Sequence, residues 1–369
     1  MYDVIVVGGG PAGSTCARVL SRAGVRVAVV DRAEFPRVKL CAGWLSPPFW
    51  DVVGISQREY PRGLWEWSTC HVSFHGEQLA FRGKGWFIRR YELDEWLLRQ
   101  SGAELHLGTT AKDIRREDGV WHVGDLQAKV LVGAGGTHCP VARLLQPDRP
   151  RRPVGVQELE LPADPIEVAR TRLGKHDGEP ELLLFDDISG YGWNVPKRDW
   201  VNVGCGTLDA TRVRAAWEHT REQIRAHVPP DADLEHVKGH SYYLFDPAHL
   251  AGATRDNAFL VGDSLGLAHP LTAEGIVPAT VSGRLAAESI LDGGDYVARL
   301  RAHPLLADYR RVHALLEVAR KLRRNGPTTK PPGKLARRAV ARGFAWMFSG
   351  ARLPVPRVID AVMEVARVR

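Results

Sequence analysis

An α/β fold organised round a parallel, dinucleotide-binding sheet is what the sequence predicts, and three observations carry that prediction. The chain opens on an apolar, β-branched run, Tyr2-Asp-Val-Ile-Val-Val7, which enters a glycine turn at once, with Gly8, Gly10 and Gly13 in G-x-G-x-x-G spacing. Asp31 stands directly after the next mostly apolar run, Val25 to Val30. Far downstream a buried-strand pattern returns at Ala258-Phe-Leu-Val261 and leads into Gly262-Asp263 and a long helical stretch. The nucleotide domain is therefore expected to be Rossmann-like and discontinuous in sequence.

Each part of the opening unit has a physical job. The first glycine permits the tight turn, the second lets backbone approach a pyrophosphate, and the third lets the next helix sit close on the strand. That helix is predicted over about residues 13–23, with Gly24 as its stop. Asp31 can accept hydrogen bonds from an adenosine ribose and would repel a 2′-phosphate. Residues 32–60, rich in Gly and Pro, read as long loops with short helical pieces. Strand-like runs follow at Cys70 to Phe74 and Trp86 to Ile88, then a helix over about 91–100. Short strands are expected at 105–107 and 120–123, and a more continuous one at 130–133 enters a second glycine turn, Gly133-Ala-Gly-Gly136.

From 151 to 245 the pattern alternates. Runs at 182–185, 193–195 and 200–203 predict a mainly antiparallel sheet, with a helix near 212–227. The last long helix is placed at about 276–291. These readings assign residues 1–60, 90–150 and 250–297 to the nucleotide domain, and 61–89 and 151–249 to a substrate-binding sheet. Residues 298–369 form a basic helical region.

The 369 residues, 44% hydrophobic and 25% charged, leave room for two domains and a large core. No secretory leader precedes the first strand and no apolar run is long enough to span a bilayer, so a cytoplasmic location is expected. Five scattered cysteines without C-x-x-C spacing read as free thiols rather than a metal site. The net charge of +7 matters less than its placement. Cations crowd Arg320 to Arg324 and Lys334 to Arg342, beside Phe344, Trp346, Met347 and Phe348. The favoured reading is helices packing an apolar face on the body; the alternative is contact with an anionic membrane at the cytoplasmic face. No recognition motif accompanies the charge, so nucleic acid is not expected as a partner.

Three further segments make the pattern specific: Phe35-Pro-Arg-Val-Lys-Leu-Cys-Ala-Gly-Trp-Leu-Ser46, Gly190-Tyr-Gly-Trp-Asn-Val-Pro-Lys197, and Leu260 through Gly262-Asp263, Pro270 and Ala273-Glu-Gly-Ile276. With the N-terminal motif they resemble the geranylgeranyl reductase family of FAD-dependent oxidoreductases, within the p-hydroxybenzoate hydroxylase-like group. The resemblance runs from residue 1 to about 295. It implies FAD stretched across the sheet, with its pyrophosphate at Gly8, Gly10, Pro11, Ala12 and Gly13 and its ribose at Asp31 and Arg32. Arg90 would steady the cofactor's middle, Ala111 would lie near the adenine, and Asp263 would bond the ribityl chain. Gly275 and Ile276 would start a helix whose N–H groups and dipole face the reduced ring.

The same resemblance places Cys41 and Ala42 beside the flavin, with Cys41 as candidate catalytic residue and Ala42 standing where the family has glycine. Gly135 stands where relatives commonly carry aspartate, which weakens the case for a direct NADPH-driven hydroxylase. The electron donor stays open between NAD(P)H, ferredoxin and another reductant. Trp44, Tyr191, Trp193, Pro196 and His269 would bound the cavity for a lipophilic substrate, with Trp65, Trp67 and Trp86 able to extend the wall.

The implied reaction is reduction of a carbon–carbon double bond in an isoprenoid or similar lipid. An unactivated alkene needs a proton as well as a hydride, with Cys41, His269, Tyr191 or a water as donor by position. The alternative is a flavin monooxygenase or halogenase, since 190–196 partly matches a halogenase Gly-Trp-x-Trp-x-Ile-Pro motif; Lys84 would then be the candidate lysine for the hypohalous species. A third class is a flavoprotein acting as electron relay, docked through its C-terminal helices.

Overall fold

The computed structural model describes residues 1–149, 153–164, 179–225, 228, 232–323 and 333–348. Two eight-stranded sheets organise it. In the first, Tyr2–Val7 lies between Val27–Val30 and Leu126–Gly133, parallel to both. Glu104–His106 extends the parallel set on one side and Ala258–Leu260 on the other. The last strand of this sheet thus comes from more than 120 residues downstream of its neighbour, the discontinuity expected from the returning apolar run. A short antiparallel arm, Arg115–Glu117 and Val120–Val123, branches from Leu126–Gly133.

Helices Pro11–Arg22 and Ile276–Asp292 pack together against this sheet. The core beneath them is β-branched and small: Val4, Ile5, Val6, Ala17, Val29 and Val132 are all buried. Parallel strands covered by helices read as continuous apolar runs because neither face meets water. Tyr296 closes the far end, its hydroxyl donating to the Leu260 carbonyl at 2.9 Å.

The second sheet runs in the order Lys238–Tyr242, Val154–Pro162, Trp200–Thr207, Gly190–Pro196, Glu181–Leu184, Trp65–Phe74, Glu77–Phe87 and Trp44–Leu45. Its pairings are antiparallel except where Glu181–Leu184 meets Trp65–Phe74. Val213–Ile224 covers one face, with Trp217 and Ile224 buried.

Several boundaries differ from expectation for identifiable reasons. The first helix begins at Pro11 rather than Gly13, because Gly10 is its cap and proline suits the first helical position. Strands Trp65–Phe74 and Glu77–Phe87 are longer than their apolar runs. Exposed Gln78, Arg82 and Lys84 alternate with covered residues on one face, so the run is broken while the ladder is not. Trp44–Leu45, inside a segment read as loop, pairs with Trp86 and Phe87 and carries that loop into the second sheet. Helix Pro304–Arg323 is long and continuous.

Helix Lys334–Met347 lies against Trp65–Phe74 and Glu77–Phe87. Val340, Ala341, Phe344 and Ala345 are buried there, and the Trp44 Nε1–H donates to the Phe348 carbonyl at 3.3 Å. Its apolar stripe is spent on the body, and Arg337 and Arg338 reach Glu77. For residues 334–348 this is the packing reading of the basic region. Residues 324–332 and 349–369 lie outside the described residues.

Candidate active site

Between the C-terminal ends of the parallel strands and the inner face of the second sheet lies a cavity of about 920 Å³. Its first end is mostly backbone. Gly8 has φ +114°, and a Cβ there would sit 2.4 Å from the Ala134 carbonyl oxygen. A Cβ on Gly13 would come within 1.9 Å of the Gly8 oxygen, so the helix is seated directly on the turn. Gly10, Pro11 and Ala12 face the cavity, and no side chain caps the helix that starts there. Asp31 fixes this turn: its Oδ2 accepts from the Gly9 N–H at 2.7 Å and its Oδ1 from the Ala33 N–H at 2.9 Å. Arg32 and Gly135 complete that end.

The middle is charged. Arg90, buried, donates to both oxygens of Asp94 at 2.5 and 2.7 Å, and Arg37 reaches the same carboxylate at 3.2 Å. Burial opposes charge on Arg90, but Asp94 and a hydrogen bond to the Cys41 side chain hold it firmly protonated. Burial raises the Asp263 carboxyl, against the pull of Lys39 and Arg90. Burial, reinforced by Arg90, lowers Lys39. Gly275 and Ile276 lie on the wall opposite, where the helix Ile276–Asp292 begins, again without a side-chain cap.

Two helix starts with unclaimed N–H groups thus face one elongated cavity, separated by a band of buried charge. Such termini favour anions and electron-rich atoms. A pyrophosphate at Gly10–Ala12 and a ring edge that gains negative charge at Gly275–Ile276 fit that donor set. The residues present fit FAD.

The far wall is aromatic. Trp44, Tyr191, Trp193, Val195, Leu182 and Phe348 line it. The Tyr191 ring lies 5.9 Å from Trp193 and 5.7 Å from Phe348, at angles typical of packed aromatics. Their polar atoms are occupied elsewhere: the Tyr191 hydroxyl donates to the Thr272 carbonyl at 2.5 Å, and Trp193 Nε1–H to Asn202 Oδ1 at 2.7 Å. The wall therefore presents mainly carbon. Cys41 and Ala42 stand where this wall meets the charged band, and the Gly43 N–H donates to the Cys41 sulfur at 3.3 Å.

Some expected site residues lie elsewhere. Gly13 does not line the cavity; it acts through helix seating. Ala111 is half-buried against the first core, off the wall. Pro196 is off the wall because strand alternation turns Tyr191, Trp193 and Val195 inward and Pro196 the other way. His269 is likewise not a wall residue. Its Nδ1 accepts the Leu271 and Thr272 N–H groups at 3.1 and 3.0 Å, and burial pushes it down to about 3. A neutral imidazole so engaged shapes the 268–275 turn and is no acid. Tyr191, with burial raising its hydroxyl and its O–H already donated to the Thr272 carbonyl, is a poor donor too. Trp65, Trp67 and Trp86 pack behind the wall.

Two carboxyls on the wall were not anticipated. Glu158, 2% exposed, is pushed up to about 7 by burial, against the opposing effect of Lys197, Lys39, Asn202 and the Cys41 backbone. Glu274 is raised by burial to about 7, although Ser46 Oγ donates to it at 2.6 Å. The signal for Glu158 was strand register: Val154, Val156 and Glu158 share one face, and two of the three are apolar.

Comparison with known proteins agrees with this geometry. The FAD binding domain family matches residues 1–47. A menaquinone reductase of Mycobacterium tuberculosis is 30% identical over 89% of this chain and 87% of its own length. Digeranylgeranylglycerophospholipid reductase 2 of Methanosphaera stadtmanae is 26% identical, covering 83% of each chain. In fold, the chain superimposes on P. aeruginosa PqsL with a TM-score of 0.63 at 19% identity, over 98% of this chain and 99% of that one. On these grounds the chain belongs to the geranylgeranyl reductase family of FAD-dependent oxidoreductases.

Proposed function

We propose that this oxidoreductase reduces carbon–carbon double bonds of an isoprenoid or similarly lipophilic substrate. The observation that carries the reading is the aromatic wall, which offers an alkyl or alkenyl chain carbon surfaces directly beside the flavin end of the cavity. Relatives named for menaquinone and for a digeranylgeranyl lipid support it, since both compounds carry isoprenoid chains. When bound and reduced, FAD supplies the hydride for such a reaction.

The chain's own residues do the rest. Gly10–Ala12 and Asp31 hold the nucleotide, and Arg90, fixed by Asp94, keeps a positive charge at its middle. Trp44, Tyr191, Trp193 and Phe348 exclude water from the lipid, which also limits competing reactions with solvent. Cys41 stands at the junction of the two parts, where it can orient the chain. The reductant is proposed to be a redox protein or a pyridine nucleotide bound only transiently.

The fold shared with PqsL does not separate an oxygenase or halogenase reading from the reductase. Against its halogenase form, Lys84 is 63% exposed beside Glu66, off the cavity wall. Anaerobic photoreduction of the FAD-loaded protein, followed by mixing with a geranylgeranyl lipid or with oxygen, separates the readings. Rapid reoxidation by the lipid supports the reductase; inert lipid with a fast oxygen burst would overturn it.

A further inference from the structure

Resting on that reading, we infer that Glu158 is the acid that delivers the proton to the alkene, with the Lys197–Glu160 pair behind it as a positioning device that sets when it is loaded. Glu158 is the carboxyl the second sheet turns into the cavity beside Cys41. Asn202, which also accepts from Trp193 at 2.7 Å, and the Cys41 backbone hydrogen-bond its side chain, so one carboxyl is tied both to the aromatic wall and to the cysteine loop.

Behind it, Lys197 is completely buried and donates to Glu160 Oε1 at 2.8 Å. Arg89 donates to Oε2 of the same carboxylate at 3.0 Å and stacks on Trp200, 3.5 Å from its ring centre, at the partly exposed rim. A buried lysine needs a partner to stay charged. Glu160 meets that need, and leaves Lys197 as a fixed positive charge facing Glu158. The other groups near Glu158 are Lys39 and Cys41 from the 37–43 loop and Tyr242 from the adjacent strand, whose His240 lines the same cavity, while its register partner Lys238 is exposed. Glu274 is the weaker candidate, since Ser46 engages it from both side chain and backbone.

In the transfer, the Glu158 O–H bond breaks and a C–H bond forms at one alkene carbon, using the π electron pair. The neighbouring carbon takes a hydride from the dihydroflavin that the proposed activity requires. The alkene gains two electrons, the dihydroflavin loses two, and the carboxylate left behind takes its next proton from water.

The test pairs kinetics with infrared spectroscopy of the resting protein. A protonated-carboxyl stretch that titrates away near pH 7 is expected in the wild type and absent in Glu158→Gln. Lipid-driven reoxidation should slow as pH rises through about 7. Glu158→Gln should lose tenfold or more of that rate together with the pH limb, while Glu158→Asp keeps the limb. Lys197→Met, removing a charge that favours the carboxylate, should move both the limb and the infrared midpoint upward.

No carboxyl stretch assignable to Glu158 would overturn the inference whatever the lipid does. So would an unchanged rate and pH profile in Glu158→Gln. If instead no prenyl lipid reoxidises the wild type, the proposed function fails, and the infrared band still reports whether Glu158 holds a proton. A Glu158→Gln chain that does not fold leaves Glu158→Asp and Lys197→Met to decide, and an unmoved limb in Lys197→Met rejects the role of the pair.

Discussion

The two ends of the cavity are built from different materials. At the nucleotide end, glycine backbone and one fixed carboxylate do the holding, mostly within the first 33 residues and completed by Gly135. At the lipid end, side chains arrive from Trp44, Leu182, Tyr191, Trp193 and Phe348, separated by up to three hundred positions in sequence. A backbone cradle tolerates almost no added atom, because its atoms cannot rotate away. An aromatic wall repacks at moderate cost, which is how one nucleotide scaffold can serve different lipophilic substrates. Substitutions at the two ends should therefore fail in different ways.

The largest effect is expected at Gly13. A side chain there would drive into the Gly8 carbonyl at 1.9 Å, and the helix must lift off the turn. Gly13→Val should yield protein that purifies colourless and does not take up added FAD, read by absorbance and flavin fluorescence. A yellow Gly13→Val protein would break the comparison at its rigid end. Asp31→Ala should be next. It removes two charge-assisted hydrogen bonds, each worth about 1.5–3 kcal/mol. With some relaxation of the turn, FAD affinity should fall about 10- to 100-fold in a fluorescence titration, without loss of the fold.

Phe348→Ala probes the other end. The ring packs 5.0 Å from Trp44 and 5.2 Å from Phe344, so truncation opens the wall rather than the cradle. FAD affinity should stay within about twofold, while the lipid concentration for half-maximal reoxidation rises about 5- to 10-fold, equivalent to roughly 1–1.4 kcal/mol. A matching loss of FAD would show that the C-terminal helix supports the whole cavity rather than its lipid end.

What could be read in advance follows the same division. Gly8, Gly13 and Asp31 were legible because backbone requirements act at fixed local spacing, and the turn leaves few other solutions. Arg90, Asp263 and Gly275 came through the motifs around them. The wall was legible only as alternation: Tyr191 and Trp193 were found, but Pro196 was drawn in with them although register turns it away. His269 was named from proximity in sequence, which cannot show that two backbone N–H groups already occupy its Nδ1. Glu158 was missed because a carboxyl in an antiparallel sheet ordinarily faces water; register put it on the face of Val154 and Val156, and the depth of the cavity shows that this face is buried. Phe348 was expected to pack on the body with the C-terminal helices, but not to line the cavity.

The smallest effect separates the two ends by their protons. Asp31 is held by N–H donors, whereas Glu274 at the lipid end is raised by burial from 4.5 to about 7. Below pH 4.5 the folded and unfolded chains both carry its proton, and its contribution to stability is fully present. Between 4.5 and 7 the unfolded chain releases the proton while the folded chain keeps it, so stability falls as pH rises, and above 7 the contribution is gone. One group imposes at most about 1.4 kcal/mol per pH unit. The half-buried His240 and the buried His269, both lowered to about 3, impose the opposite slope between 3 and 6.5. The quantity to measure is therefore the difference between wild type and Glu274→Gln in urea denaturation from pH 4.5 to 7.5, in which the histidine contributions cancel. That difference should move in favour of the variant by at most about 3 kcal/mol across the window and then level off. Parallel curves would mean that Glu274 ionises inside the folded protein as it does in water, which a dry lipid end does not permit.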